Sequence, residues 1–73
     1  MPTADPRSLF GRKLRELRLA RRLSQEKLGE LADMDRNYIG ATERGKYNIC
    51  LLSITKIARA LKVKPKELLD FIP

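Results

Sequence analysis

Histidine is absent from these 73 residues and cysteine occurs once. One thiol cannot close an internal disulfide, and no His/Cys cluster with metal-ligand spacing exists, so neither a disulfide framework nor a bound metal is expected. The same shortage removes the usual general base. Cys50 has no imidazole partner and the carboxylates are scattered, which argues against catalysis and against any cofactor. The apolar runs are too short to span a bilayer, and the opening MPTADPRS lacks the apolar stretch of a secretion signal. The expected setting is therefore cytoplasmic, with no membrane partner. Aromatic residues make up only 5% against 42% hydrophobic overall, with four glycines and four prolines. The core should be small and aliphatic. A chain this short has room for one domain, whose stability must come from packing or association.

Positive charge is what the chain has in excess. The net charge is +7 with a pI near 10.1, which suggests a polyanionic partner. Residues 7–22 hold seven basic side chains against Glu16 alone, and residues 44–66 hold seven more, whereas residues 24–43 carry five acids against Lys27 and Arg36. An anion would thus meet charge from both flanks of the middle segment.

Apolar residues recur every three or four positions and no alternating strand pattern appears. Asp5 before Pro6 marks a helix start, with Phe10, Leu14 and Leu17 as its apolar stripe, ending near Arg22. Ser24 caps a second helix with Leu28, Leu31 and Ala32 inward. Asp33 and Met34 form a turn, and Asp35 caps a third helix over 36–43 with Tyr38, Ile39 and Thr42 inward or at its edge. After a GKYNIC loop, a fourth helix spans 51–61, with Leu51, Ile54, Ile57, Ala58 and Leu61 on one face. Lys64–Pro65 opens a short fifth helix carrying Leu68 and Leu69. The fold class is all-α, five helices in one compact domain, with residues 1–5 expected to be flexible.

Helices two and three are each about two turns long and joined by three or four residues, which forces a sharp angle and exposes the third. Its outward positions are read as Arg36, Asn37, Gly40, Ala41 and Arg44. A helix entering the DNA major groove needs base readers in its first turn and little bulk behind them. Arg36 can donate twice to guanine O6 and N7, Asn37 can pair with adenine, and Ala41 can touch a thymine methyl. The competing explanation is that Gly40 and Ala41 admit close packing against another helix.

The segments LSQEKLGELADMDRNYIGATERGKYN and LLSITKIARALKVKPKELL resemble the lambda-repressor-like (Cro/repressor, XRE-type) helix-turn-helix family over nearly the whole chain, with the helix-turn-helix at 24–43. DRNYI…ERGKYN is most similar to the small controller proteins of restriction–modification systems. The resemblance implies a DNA-binding transcription regulator. It gives Gln25 a DNA phosphate, Arg36, Asn37 and Ala41 the bases, and Tyr38, Arg44, Lys46, Tyr47 and Asn48 the backbone. It also implies a structural ion pair between Arg18 and Glu43. The chain departs from the family pattern at Arg22, where glycine is usual, at Thr42, usually aliphatic, and at Cys50, usually a serine or threonine cap. Thr42 would weaken the packing unless its hydroxyl bonds back to its helix. Cys50 is expected to be a partly buried, inert thiol.

One such module reads few base pairs, so a homodimer on a palindromic operator is expected. Ile49, Leu52, Leu69, Phe71 and Ile72, with the end of helix four and the last helix, form the expected interface, centred on the chain end at 62–73. The alternative for Phe71 and Ile72 is that they fold back on their own core. RNA polymerase would be a further partner at a promoter. Glu26, Glu30 and Asp33 could face it, though a solvated acidic face is the simpler account. The rival functional reading is a phage-type repressor or an antitoxin-like module that binds protein through the same fold. RNA, usually read by stacked aromatics, fits less well, because Phe10, Tyr38, Tyr47 and Phe71 are dispersed.

Overall fold

The computed structural model describes residues 5–71; residues 1–4, expected to be flexible, and Ile72 of the expected interface lie outside them. Five helices follow in order: α1 (Pro6–Ala20), α2 (Gln25–Ala32), α3 (Arg36–Glu43), α4 (Leu51–Leu61) and α5 (Pro65–Leu68). There is no strand among the described residues.

Side chains set the first three starts. Asp5, Ser24 and Asp35 accept from the amides of Arg7 (2.8 Å), Lys27 (2.9 Å) and Asn37 (2.7 Å), pairing donors that a helix leaves open. The Arg7 side chain and amide also hold the Asp5 carboxyl down at about 2, so this cap stays ionised at neutral pH. Cys50 precedes α4 without a side-chain cap bond. At α5 the Glu67 carboxylate accepts from the Lys64 amide at 2.8 Å.

The ends of α1 to α4 share one geometry. Each closes with paired bonds, one spanning five residues and one spanning three, around a residue of positive φ. Leu23 N–H reaches Arg18 O, Met34 reaches Gly29 O, Lys46 reaches Ala41 O and Val63 reaches Ala58 O. The residues at the bend are Arg22 (φ 58°), Asp33 (φ 55°), Gly45 (φ 78°) and Lys62 (φ 59°). Only Gly45 adopts this backbone without steric cost. A side chain at Gly45 would in addition press on Ser8.

Phe10, Leu14, Leu28, Ala32, Ile39, Ile54, Ile57, Ala58, Leu61 and Leu68 form the core, with contributions from every helix. Two expected core residues are not in it. Leu31 is 52% exposed and Leu51 is 76% exposed. The buried side of α2 runs along Leu28, Gly29 and Ala32, and Leu31 lies roughly a quarter-turn beyond it. Leu51 opens α4, to one side of the Ile54–Ile57–Ala58–Leu61 face. Thr42 is buried, as its edge position suggested, but its hydroxyl finds no hydrogen-bond partner among the described residues. The back-bond that could have offset its polarity is not made, and the last turn of α3 keeps an orphaned oxygen. Cys50 is exposed, contrary to the buried thiol expected.

Arg22 is exposed, so its side chain adds little to set against its strained backbone. Arg22→Gly should raise unfolding free energy by about 0.5–1 kcal/mol, the left-handed penalty less the entropy glycine brings to the unfolded chain. Urea denaturation checks this, and a loss of stability would contradict the strain assigned to that bend.

Candidate nucleic-acid interface

The close approach of α1 to α3 positions the site. A Cβ at Gly11 would collide with the carbonyl oxygens of Thr42 and Glu43, so the last turn of α3 rests directly on α1. Near this crossing Arg18 and Glu43 meet as a two-point pair. Arg18 Nε donates to Glu43 Oε2 at 2.6 Å and Nη2 donates to Oε1 at 3.0 Å. Their side chains are only 8% and 3% exposed, so each charge depends on the other. Arg18 Nη1 also donates to Leu23 O at 2.7 Å, and Gln25 Nε2 donates to Glu43 Oε1 at 3.1 Å. One buried network thus fixes α1, the link into α2, the first residue of α2 and the end of α3.

Gln25 reaches Glu43 by crossing Gly40. A Cβ on Gly40 would lie 2.9 Å from Gln25 Oε1 and 3.2 Å from Arg44 Nη1. Gly40 is therefore small enough to admit Gln25. Ala41 is likewise buried, at 7% exposure, which corrects its placement among the outward residues. Beyond α3 the Lys46 N–H bonds back to Ala41 O at 3.0 Å, and the Tyr47 ring stacks on Tyr38, 4.9 Å between centroids and 13° from parallel.

Arg36 and Asn37 are exposed at the start of α3. They line a shallow groove with Ser24, Gln25 and Glu26 of the α2 entry and with Arg44. Both helix N-termini open into it, where unpaired amides and the helix dipoles favour an anion. Arg44, Lys46, Tyr47 and Asn48 are exposed beyond α3, and Tyr38 is half-buried beneath Tyr47. Chemically, the arrangement offers cationic and amide donors around exposed groups able to read base edges. Two relations were missed from sequence. The Tyr38–Tyr47 stack had no signal beyond aromatic type. Glu26 accepts from Arg36 Nη1 at 3.3 Å, across a ten-residue separation that no helical periodicity links.

The expected dimer surface divides. Leu52 is 66% and Leu69 37% exposed, joined by the misassigned Leu51. Ile49 packs partly into the protein's own core, and Phe71 sits edge-on to Phe10 with centroids 6.3 Å apart. For Phe71 the fold-back alternative is the one observed. Ile49, Leu69 and Phe71 nevertheless border a mainly apolar groove with Pro6, Phe10 and Ile54.

These features define a helix-turn-helix protein, and the chain belongs to the helix-turn-helix family, whose pattern matches residues 14–68. Within it, the chain is 50% identical over 70 residues to the control protein C.BamHI of Bacillus amyloliquefaciens, covering 94% of this chain and 86% of that one. It is 38% identical over 69 residues to the control protein C.MunI of a Mycoplasma species, covering 93% of each. The crystal structure of the restriction-modification controller protein C.AhdI from Aeromonas hydrophila matches with a TM-score of 0.84 at 50% identity, over 85% of this chain and 94% of that one. The resemblance to controller proteins drawn from the motifs alone therefore holds.

Removing one partner of the Arg18–Glu43 pair leaves a buried charge alone. Arg18→Met or Glu43→Gln should each cost about 3 kcal/mol, while Arg18→Met with Glu43→Leu should recover most of that loss. Additive losses in urea unfolding would show that the two side chains act independently. At Cys50, the Ser53 hydroxyl 3.3 Å from the sulfur holds the thiol below its ordinary value, aided by the Ser53 amide. Alkylation of the folded protein should accordingly rise at lower pH than for a free thiol, and Ser53→Ala should move the profile upward. An identical profile in both proteins would remove Ser53 as the cause.

Proposed function

We propose that the protein is a sequence-specific transcriptional regulator that binds a palindromic operator as a homodimer, in the manner of a restriction–modification controller. The observation that carries this reading is the groove at the entries of α2 and α3, where exposed Arg36 and Asn37 stand beside cationic Arg44 and the Gln25 amide. In this reading α3 enters the major groove, Arg36 and Asn37 take base edges, and Gln25, Tyr38, Arg44, Lys46, Tyr47 and Asn48 hold phosphates. Family membership supports it. Ala41, buried in the free protein, is kept only as a residue at the edge of that contact.

Dimerisation would use the exposed Leu51, Leu52 and Leu69 with the groove bordered by Ile49 and Phe71, at the chain end from residue 62 onward. Two reading helices would then lie about 34 Å apart, one turn of DNA. The protein would work in the cytoplasm without catalysis, governing a promoter by competing with or recruiting RNA polymerase. Its concentration would set its response through dimerisation and occupancy.

Selection of bound duplexes from a randomised pool at near-physiological salt tests the whole reading. A palindrome with half-sites one turn apart is expected. Failure to enrich any site would favour the protein-binding module on the same scaffold. On the selected site, Arg36→Ala should cost about 1–3 kcal/mol and relax preference at one base pair. Lys46→Ala should weaken all duplexes alike and flatten the salt slope by about one unit; a loss confined to one sequence would contradict a phosphate role.

A further inference from the structure

Arg36, the residue assigned to guanine, does not stand free. Its Nη1 donates to Glu26 Oε2 at 3.3 Å, with the two side chains 65% and 64% exposed. Glu26 is the second residue of α2 and Arg36 the first of α3, so the pair spans the groove between the two helix entries. An exposed pair of this kind adds little to stability. Its sign is also wrong for simple affinity: a carboxylate stands among Gln25, Arg36 and Arg44, on a surface that must approach phosphates.

The geometry points to Glu26 as a specificity-determining residue that acts through Arg36. An unheld guanidinium would satisfy itself on any phosphate, and phosphate contacts carry no sequence information. The Glu26 carboxylate repels phosphate from this spot and engages one Arg36 nitrogen. The remaining N–H groups are left for a matched pair of acceptors, which guanine presents as O6 and N7. A base pair without such a set must compete with Glu26 for Arg36, and gains too little to displace it. Selectivity here is a difference between two affinities, and Glu26 lowers the unwanted one more than the wanted one.

This inference rests on Arg36 reading a base, and its test separates the two claims. Selection from the randomised pool is run with the unaltered protein, Glu26→Gln, Arg36→Ala and the double variant, and each is also titrated with one scrambled duplex. Glu26→Gln should tighten binding to the scrambled duplex on the order of threefold, by removing a charge that faces phosphates. It should also cut the guanine preference at one position per half-site about tenfold, the size of one lost base discrimination. Other positions should stay unchanged, and the substitution should add nothing when Arg36 is alanine. A uniform effect at all positions, or an effect undiminished in the Arg36→Ala background, overturns the role of Glu26. A change with Arg36→Ala but none with Glu26→Gln removes Glu26 alone. If Arg36→Ala leaves every position as it was, the base-reading assignment of α3 falls and Glu26 falls with it.

Discussion

The buried Arg18–Glu43 pair is the contact on which the placement of α3 depends. Two opposite charges at 2.6 Å and 3.0 Å, almost wholly shielded from water, attract strongly but have each lost their hydration. The balance is improved by the extra partners: Leu23 O takes one Arg18 donor, and Gln25 supplies a third hydrogen bond to the carboxylate. Those partners are also the structural logic. Leu23 lies in the link between α1 and α2, Gln25 opens α2, and Glu43 closes α3. A pair of apolar side chains could fill the same volume, but it could not specify these three positions at once. The interaction is therefore worth more as geometry than as stability.

Short helices make that geometry necessary. Helices of eight residues, like α2 and α3, are too short to persist alone in water and hold their shape only when packed and capped. The chain caps α2 and α3 with Ser24 and Asp35 and ends both with the same paired bonds. It tolerates Arg22, Asp33 and Lys62 in a backbone region that glycine occupies more cheaply. A strained bend costs roughly 1–2 kcal/mol. The tightness of the turns, which sets the angle between α2 and α3, is kept at that expense.

Helix starts were legible because their causes are local: Asp5, Ser24 and Asp35 are short acceptors followed by helix formers, and each caps as read. The overall pattern and the family followed from motifs spread along most of the chain. Burial was less legible because it depends on what arrives from elsewhere. Leu31 and Leu51 fit a helical period yet stay largely exposed. Helical period places Gly40 and Ala41 outward, but both are buried, and the Gln25 side chain lies against Gly40. Close packing is seen at Gly40, against the Gln25 and Arg44 side chains. Phe71 is similar: sequence could not choose between its own core and a partner, and the ring lies edge-on to Phe10 while still bordering the apolar groove. Arg36 was found by residue type and position, but its attachment to Glu26 was not, since ten residues and a turn separate them.

In the proposed reading, a second copy adds to the operator selection that one copy can supply. One copy exposes two of the side chains proposed to read bases, Arg36 and Asn37. A good bidentate contact discriminates by about 1–3 kcal/mol, so one protomer commands roughly 2–6 kcal/mol. Specific sites are typically separated from non-specific DNA by about 4–10 kcal/mol. The excess positive charge does not fill that gap, because phosphate attraction strengthens every site alike. Two routes remain for so short a chain. One is to double the reading helices on a twofold axis, which adds discrimination without adding residues. The other is to restrain the charges already at the interface so that they engage only matched acceptors, as the carboxylate beside Arg36 would do. The second would make selectivity cost affinity, and the first would tie operator occupancy to protein concentration through dimerisation.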